Sequence, residues 1–234
     1  MKGFLINRVM DFLTRYPALH RVLRYRNPRE YWRRRGGEKY YREQEGVEER
    51  HARSHYIAQR LKLLAARRIL EIGCGYGKQL KNLSAAKGAM VVGVDWSLEQ
   101  LQKAREFCQG FSPVLIGADA AHLPFRDKTF DLILTSAVIM HNPEPQAKAI
   151  VHEILRVGTR YVAHNEDSNI TFTRHGYDMR KTYEKMGIKI LDSGPIPLQP
   201  PIPNTQFTVV ELSPRDARLL SAQEIPLQYH AGAK

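Results

Sequence analysis

A glycine-rich loop between a predicted strand and a predicted helix constrains the fold of this chain more than any other feature. Residues 73–77 read Gly-Cys-Gly-Tyr-Gly and follow the apolar run at 68–72. Glycines at alternate positions let the backbone approach a ligand closely, because no Cβ atom stands in the way. In a doubly wound sheet, the carboxyl end of the first strand lies at the ligand crevice. The loop therefore predicts a ligand-binding α/β domain.

Short apolar runs alternate with amphipathic segments from residue 67 onward. This alternation is typical of βαβ units and predicts a doubly wound, mostly parallel seven-stranded α/β sheet with helices on both faces. Prolines crowd 195–203, between the last two strands, and predict an antiparallel hairpin at the sheet edge. Ser97 and Gln100 predict a capping box at the start of one helix. We expect strands at 68–72, 90–94, 114–116, 131–134, 161–163, 189–191 and 206–210, and helices at 38–66, 78–87, 97–109, 142–155 and 177–186.

Positive charge is concentrated in the N-terminal third of the chain. The net charge is +12, and residues 1–68 hold 18 Lys and Arg against 7 Asp and Glu, a net +11. We predict three parts: a basic, amphipathic helical extension or lid at 1–66, a ligand-binding domain at 67–212 and a peripheral tail at 213–234. The extension, which begins with an amphipathic helix at 3–16, suits an anionic membrane surface or nucleic acid. The alternative is a helical cover for the core with solvated arginines.

Composition excludes several classes of protein. No run approaches the roughly 18–20 uninterrupted apolar residues of a membrane-spanning helix. The two cysteines, Cys74 and Cys108, exclude a disulfide scaffold and favour a reducing compartment. Arg8, Asp11 and Arg15 interrupt the apolar start and no small-residue cleavage site follows, so no secretory signal is expected. We therefore predict a cytoplasmic protein, peripheral at the inner face of a membrane if the extension binds lipid.

Two acidic residues at strand ends indicate a nucleoside ligand. Asp95 ends the second predicted strand, 20 residues after Gly75. A carboxylate there accepts both hydrogen bonds of a ribose diol and repels a 2′-phosphate. Asp119 follows the third strand, where it could accept a hydrogen bond from an adenine amino group. Lys78 stands where a dinucleotide-binding loop has its third glycine, which disfavours a pyrophosphate ligand.

Five segments, taken together, resemble the class I S-adenosylmethionine (SAM)-dependent methyltransferases, in the small-molecule group often called UbiE-like or type 11. They are residues 70–77, 92–97, 119–125, 130–133 and 153–157. The resemblance implies a Rossmann-like methyltransferase fold and SAM as the cofactor, with Glu71 and the glycines on its methionine side, Asp95 on the ribose and Asp119 on the adenine. The cofactor-binding residues that it implies are Glu71, Gly73, Cys74, Gly75, Gly77, Asp95, Trp96, Ser97, Asp119, Ala120 and Ser136.

The acceptor of the methyl group is expected to be a small molecule, a lipid or a lipid-linked sugar, methylated on oxygen. Nucleic acid is less expected, because the Asn/Asp-Pro-Pro-aromatic signature of base amino-methylation is absent after the fourth strand and neither cysteine is placed for methylation of cytosine carbon. Two alternatives remain: a non-catalytic adaptor with the same fold, and an RNA-directed methyltransferase that uses the basic extension. Tyr40 and Tyr41 either close over the cofactor, as N-terminal helices do in similar enzymes, or pack in the core.

His141 is the first candidate for a general base. It follows the fourth strand, at the edge where the methyl donor is expected, and a neutral imidazole accepts a proton near pH 7. The alternative is that His141 caps or packs against the helix that opens at Asn142. His164 and Glu166, at the end of the fifth strand, are the next catalytic candidates. Their spacing with Asp167 is not an established zinc or iron pattern, so no metal is expected.

Overall fold

The computed structural model describes residues 32, 36–84, 88–171, 174–198, 205–213, 216 and 224–230. The predicted amphipathic helix at 3–16 and the arginines of the stretch 21–35 lie outside these residues. The described part of the N-terminal extension therefore consists of Trp32 and residues 36–66.

The described α-helices are α1 (Glu38–Glu45), α2 (Glu48–Lys62), α3 (Lys78–Ser84), α4 (Leu98–Phe107), α5 (Glu144–Val157) and α6 (Met179–Lys185). A short 3₁₀ turn spans Ile139–His141. The longest of these helices, α2, has 15 residues, whereas a bilayer span needs about 20. No helix in the described ranges is long and apolar enough to cross a membrane.

The described strands are β1 (Arg68–Ile72), β2 (Met90–Asp95), β3 (Val114–Gly117), β4 (Phe130–Ser136), β5 (Gly158–Asp167), β6 (Ile170–Thr171), β7 (Arg174–His175), β8 (Lys189–Gly194) and β9 (Thr205–Glu211). Seven of them form one sheet in the order β3-β2-β1-β4-β5-β9-β8, and β6 pairs with β7 separately. Strands β1 to β5 run parallel, whereas β9 is antiparallel to β5 and β8. The predicted fold class and its antiparallel edge hairpin are therefore confirmed.

The main sheet is covered on both faces, which explains the nearly continuous apolar sequence of its central strands. Successive side chains of a strand point to opposite faces, so Leu70 and Ile72 enter one core cluster while Ile69 enters another. Strands β2 and β3 lie on one side of β1, and β4 and β5 lie on the other. At such a reversal of strand order the loops diverge and leave a crevice at the carboxyl edge.

The N-terminal helices differ from the single helix predicted at 38–66. The chain forms α1 and α2 instead, because it turns at Gly46 and Val47, where Val47 is extended with φ −111° and ψ 100°. Ile57 and Leu61 of α2 are buried in the same cluster as residues of the sheet. This part of the extension therefore belongs to the core of the domain.

The C-terminal segment 224–230 is not peripheral. Ile225 and Leu227 are buried in a core cluster that includes residues of α6. The Gln228 N–H donates a hydrogen bond to the Thr182 hydroxyl at 3.0 Å. The predicted peripheral tail is therefore wrong for this segment, because its apolar side chains cover α6.

Candidate active site

Two adjoining cavities open at the carboxyl edge of the sheet, where β1 and β4 end. The first cavity has a volume of about 320 Å³ and the second a volume of about 500 Å³. Both are bordered by the glycine loop after β1 and by the segment after β4, so they meet between these strands. The residues that line both cavities are Trp32, Tyr40, Gly73, Gly75, Ser136, Ala137 and His141.

The glycines of the loop have different tasks. Gly73 and Gly75 have φ angles of +67° and +54°, a region that residues with a Cβ rarely adopt. A Cβ at Gly73 would collide with Val138 Cγ2, whereas a Cβ at Gly75 would have no protein atom closer than 3.9 Å. Gly75 therefore leaves space for a ligand. Gly77 lines neither cavity, and a Cβ there would lie 2.7 Å from Cys108 Sγ, so its predicted cofactor contact is corrected to a packing role.

Asp95 ends β2 with its carboxylate buried beside the glycine loop at the first cavity. Its Oδ2 accepts a hydrogen bond from the Gly75 N–H at 2.9 Å, and its Oδ1 accepts one from the Ser97 N–H at 2.9 Å. Burial raises the pKa of Asp95, while the backbone donors oppose that rise. A carboxylate offers about four lone pairs, so acceptor capacity remains for a ribose diol.

Ser97 caps α4 and lines neither cavity. Its hydroxyl oxygen accepts a hydrogen bond from the Gln100 N–H at 3.3 Å, which confirms the predicted N-cap. The reciprocal half of the capping box is not formed, because Gln100 Oε1 accepts from the Gly37 N–H at 3.4 Å instead. Trp96 and Gln100 line the first cavity. The predicted contact of Ser97 with the cofactor is therefore corrected: its N–H supports Asp95.

The segment after β3 forms the far end of the first cavity. Asp119 and Ala120 line it, and Asp119 Oδ1 accepts a hydrogen bond from the Ala121 N–H at 3.0 Å. Val94 and Ile150 contribute apolar walls. A cavity with apolar walls and two carboxylates is complementary to a nucleoside, which has a flat apolar ring and several polar groups.

Glu71 borders the second cavity with a buried carboxylate. The residue is 3% exposed, and no group in the described ranges donates a hydrogen bond to its Oε2. Burial raises the pKa of Glu71 well above its ordinary value, and the nearby Asp95 raises it further. Burying a carboxylate oxygen without a donor is costly. This atom is therefore available to accept a hydrogen bond from a ligand.

Cys74 borders the second cavity, but its thiol packs in the core. A Cβ added to Gly93 of β2 would lie 2.9 Å from Cys74 Sγ. Burial raises the pKa of the thiol, so it is not a reactive nucleophile. A ligand in this cavity therefore meets the main chain of Cys74.

The cations of the second cavity were not predicted from the sequence. No motif joins α2, α3 and β7, from which these side chains come. The available signal was the spacing of Arg50 and Arg53, three residues apart and thus on one face of α2. The cationic residues that line this cavity are Arg50, Arg53, Lys78 and Arg174.

His141 ends the 3₁₀ turn after β4 and lies at the junction of the two cavities. Its ring packs edge-to-face with that of Trp32, with centroids 5.2 Å apart. The N-cap of α5 is Pro143, and the Asn142 side chain donates to the Val138 carbonyl at 2.8 Å. His141 therefore does not cap α5, and its ring faces the space where a ligand would bind.

His164 is buried and lines neither cavity. Its Nε2 lies 2.8 Å from the Tyr183 hydroxyl, and its Nδ1 lies 2.7 Å from the Thr135 hydroxyl. Because Thr135 donates its hydroxyl proton to Glu166 at 2.7 Å, Nδ1 is the donor and Nε2 the acceptor. Burial lowers the pKa of His164 to about 3. The predicted catalytic role is therefore corrected: His164 is a neutral core residue with both ring nitrogens paired.

Glu166 anchors the segment after β4 and also lines neither cavity. Its buried carboxylate accepts hydrogen bonds from the Val138 N–H at 3.1 Å and the Met140 N–H at 3.2 Å. Burial raises the pKa of Glu166, while Thr135 and these donors oppose the rise. Its predicted catalytic role is corrected to a positioning role, because it holds the turn that presents His141.

For Tyr40 and Tyr41 the alternatives were closure over the cofactor and packing in the core, and the two residues differ in this respect. Tyr40 lines both cavities and packs edge-to-face with Trp32, with ring centroids 5.4 Å apart. Tyr41 packs instead against Tyr76 and Phe107, at centroid distances of 5.2 and 5.7 Å. Tyr40 therefore closes the site, and Tyr41 packs beneath it.

The fold and the site together define a class of protein. The seven-stranded, mostly parallel sheet with an antiparallel β9 is the fold that the resemblance predicted. Residues 69–159 match the protein family described as "Methyltransferase domain". The resemblance stated from the sequence is therefore confirmed for the matched residues.

Known proteins similar to this chain carry the same kind of domain. Sterol 24-C-methyltransferase erg6 of Schizosaccharomyces pombe is 27% identical over 107 residues, 44% of this chain and 28% of that protein. Demethylmenaquinone methyltransferase of Clavibacter sepedonicus is 33% identical over 121 residues, 50% of this chain and 48% of that protein. The chain thus spans less than half the length of these relatives. Magnesium protoporphyrin IX methyltransferase (ChlM) from Synechocystis PCC 6803 with bound SAM has a similar fold, with a TM-score of 0.60 at 20% identity over 83% of this chain and 97% of that chain.

Proposed function

We propose that this protein is a SAM-dependent methyltransferase whose acceptor is a small molecule or a lipid. The methyltransferase domain at 69–159 supports the activity, and relatives named for sterol and demethylmenaquinone support the acceptor class. The observation that carries the proposal is Glu71 Oε2, a buried acceptor for which the described residues supply no donor. It borders the cavity that also includes Gly75, where the missing side chain leaves room for a ligand.

The two cavities fit the two parts of SAM. In the first, Asp95 would bind the ribose diol and Asp119 the adenine amino group. In the second, Glu71 would accept a hydrogen bond from the ammonium of the methionine part, and Arg53 would bind its carboxylate. When bound, SAM supplies a methyl group that is activated by its sulfonium sulfur.

Methyl transfer in this proposal takes place at the junction of the cavities. His141 lies there, and a neutral imidazole accepts the proton of an acceptor hydroxyl. We therefore propose O-methylation with His141 as the general base. Trp32 and Tyr40 line the same junction. Their rings exclude water and align the acceptor with the methyl group, which is the larger part of the catalytic effect for an activated donor.

We propose further that the basic extension holds the protein at the cytoplasmic face of an anionic membrane. Residues 1–68 hold 18 basic and 7 acidic residues, a net +11. An apolar helix face together with a polybasic stretch gives stable surface binding. Removing residues 1–30, which keeps Trp32, is expected to weaken binding to phosphatidylglycerol vesicles and to leave SAM binding intact. If the full chain ignores such vesicles at low salt, the membrane proposal is wrong.

Calorimetric titration of SAM into the purified protein tests the activity proposal. The wild type is expected to bind SAM, and Gly75→Ala is expected to lose detectable binding, because its Cβ enters the ligand space. Gly88→Ala is the matched control: its φ is +86°, and no atom lies within 4 Å of the added Cβ. It carries the same kind of backbone strain outside the site. A wild type that binds neither SAM nor its product S-adenosylhomocysteine (SAH) contradicts the proposal.

Transfer of a labelled methyl group from SAM to fractionated cell extracts tests the acceptor class. Label in the lipid or small-molecule fraction supports the proposal. Label confined to RNA overturns the acceptor class and favours an RNA-directed enzyme. No transfer to lipid, glycan, small-molecule or RNA fractions by a protein that binds SAM favours a non-catalytic adaptor.

A further inference from the structure

The second cavity is lined by four cationic residues and by three acidic ones, Glu49, Glu71 and Asp167. Its cations come from α2, α3 and β7. Lys78 Nζ lies 3.3 Å from Glu45 Oε1, which offsets its charge. Arg174 is paired with Asp167 at 2.8 Å. These two pairs leave the arginines of α2 without an ion pair among the described residues, although Glu49 and Asp167 lie near enough to Arg53 to act on its charge.

Arg50 and Arg53 lie one helical turn apart and line the same cavity. Neither guanidinium has an ion pair or a hydrogen bond to any residue that the structure describes. Burial lowers the pKa of Arg53 and the charge of Arg50 lowers it further, while Glu49 and Asp167 oppose that fall. Two like charges in a partly buried space repel each other, so a bound anion would stabilise them more than it would stabilise a solvated arginine.

The proposed cofactor neutralises only one of these arginines. SAM has one carboxylate, which is assigned to Arg53, and one ammonium, which is assigned to Glu71. Its sulfonium brings a further positive charge into the same space. Glu49 lies in the same lining but makes no ion pair with Arg50, so Arg50 still has no paired anion among the described residues after cofactor binding.

We propose that the acceptor carries an oxyanion, a phosphate or a carboxylate, that binds Arg50 while the methylated atom reaches His141. The inference rests on the proposed function, because it takes SAM as the occupant beside Arg53. A guanidinium donates paired, charge-assisted hydrogen bonds to either oxyanion. The rings of Trp32 and Tyr40 would contact the part of the acceptor between its anionic group and its methylated atom.

Titration of anionic and neutral probes into the SAH-saturated protein tests this inference. The soluble probes are phenyl phosphate, benzoate and the neutral benzyl alcohol, and dihexanoyl phosphatidate represents a lipid headgroup. At least one anionic probe is expected to bind about tenfold or more tightly than benzyl alcohol, with a preference that weakens as salt is added. Tighter binding of phosphatidate than of phenyl phosphate assigns the oxyanion to a lipid, and the reverse order assigns it to a soluble acceptor. Equal binding of anionic and neutral probes overturns the inference.

Single substitutions distinguish the contribution of Arg50 to anion binding from the contributions of other arginines. Arg50→Gln is expected to remove the preference for anions and keep SAH affinity, whereas Arg53→Gln is expected to weaken SAH binding. The matched control is Arg42→Gln, which removes the same charge from an exposed position on α1, where Arg42 pairs with Glu38 at 2.7 Å. An equal loss in Arg42→Gln and Arg50→Gln overturns the inference. Absence of SAH binding contradicts the proposed function instead, and titration of the same probes into the free protein then decides the inference separately.

Discussion

The two cavities are built in different ways. The walls of the first follow the strands of the parallel half of the sheet: Asp95 ends β2, Asp119 follows β3 and Ser136 ends β4. The second draws its walls from α2, which precedes the sheet, from β7 and from Thr205 at the start of β9. The first is therefore visible as strand-end motifs, whereas the second exists only after distant segments have packed together.

The chemistry of the cavities differs in the same way. The first combines apolar walls with carboxylates held by backbone donors, which suits an uncharged nucleoside. The second combines Glu49, Glu71 and Asp167 with four cations, which suits charged groups of both signs. The comparison indicates that the proposed nucleoside site is a local property of the sequence, whereas the proposed sites for the methionine part of SAM and for the acceptor depend on long-range packing.

A change at the junction of the cavities has the largest expected effect. His141→Ala is expected to lower kcat by about 10²–10⁴-fold, because it removes the general base, with little change in SAM affinity. Steady-state kinetics with the acceptor found by methyl transfer, together with calorimetry of SAM, measures both. His152→Ala, on α5 and outside both cavities, is the control. An unchanged kcat removes His141 from the mechanism and indicates an acceptor atom that needs no base.

Loss of the anchor beneath that junction is expected to destabilise the fold. Glu166→Ala leaves the N–H groups of Val138 and Met140 without their acceptor. Each buried unpaired group costs about 1–3 kcal/mol, so we expect unfolding by urea to show a loss of about 3 kcal/mol. Glu184→Ala, which breaks an exposed pair with Arg180, is the control. A loss as small as the control's would contradict the anchoring role.

A substitution in the first cavity tests whether the two cavities bind their ligands independently. Asp95→Ala is expected to weaken SAM binding by about 10–100-fold, the effect of removing a hydrogen-bonded charged group. Binding of anionic probes near Arg50 is expected to remain, since that residue lines only the second cavity. Calorimetry with each ligand measures both affinities, and Asp192→Ala, at an exposed pair with Arg60, is the control. Equal losses for both ligands would show that the two cavities are one site.

The pH dependence of the free energy of unfolding tests whether His164, on the buried side of β5, stays neutral in the folded protein. We expect this effect to be the smallest. The pKa of His164 is lowered to about 3 in the folded protein, whereas an unfolded histidine titrates near pH 6.5. Between these values the unfolded state binds more protons, so His164 makes the protein less stable as the pH falls from about 6.5. The contribution is at most about 1.4 kcal/mol per pH unit.

His164→Gln is expected to flatten the fall in stability between pH 6.5 and pH 5. Urea unfolding at both pH values, compared with the wild type, isolates this group from Glu71 and Glu166, whose raised pKa values have the opposite effect. Equal pH slopes in the two proteins would show that His164 is protonated in the folded state.

Prediction from the sequence succeeded for elements whose structure depends on residues close together in the chain. β1 and β2 are nearly continuous apolar runs because both faces are buried, and the N-cap of α4 is formed by Ser97 with a residue three positions later. Strands β6 and β7 were not predicted, because two residues are too few to show a period. The second half of the predicted capping box is not formed, because the Gln100 side chain accepts a hydrogen bond from Gly37 in the N-terminal extension instead.

The end of β5 shows where prediction of the site failed. The sequence placed His164 and Glu166 at the carboxyl edge, and the structure agrees on the position along the strand. Side chains of a strand alternate between faces, and here Asn165 and Asp167 line the second cavity while His164 and Glu166 face the core. All four residues are polar, so the pattern contained no apolar residue to indicate which face is buried.

Local sequence was enough to predict a mostly parallel sheet, the glycine turn and the acidic residues of the first cavity, because all of these follow from single strands and their ends. Tertiary structure alone decided how the second cavity is lined. Arg50 and Arg174 line the same cavity only because α2 packs over the sheet and β7 returns to the same edge. No local propensity encodes that meeting, since it depends on the burial of apolar residues elsewhere, such as Ile57 and Leu61, that place α2 where it lies.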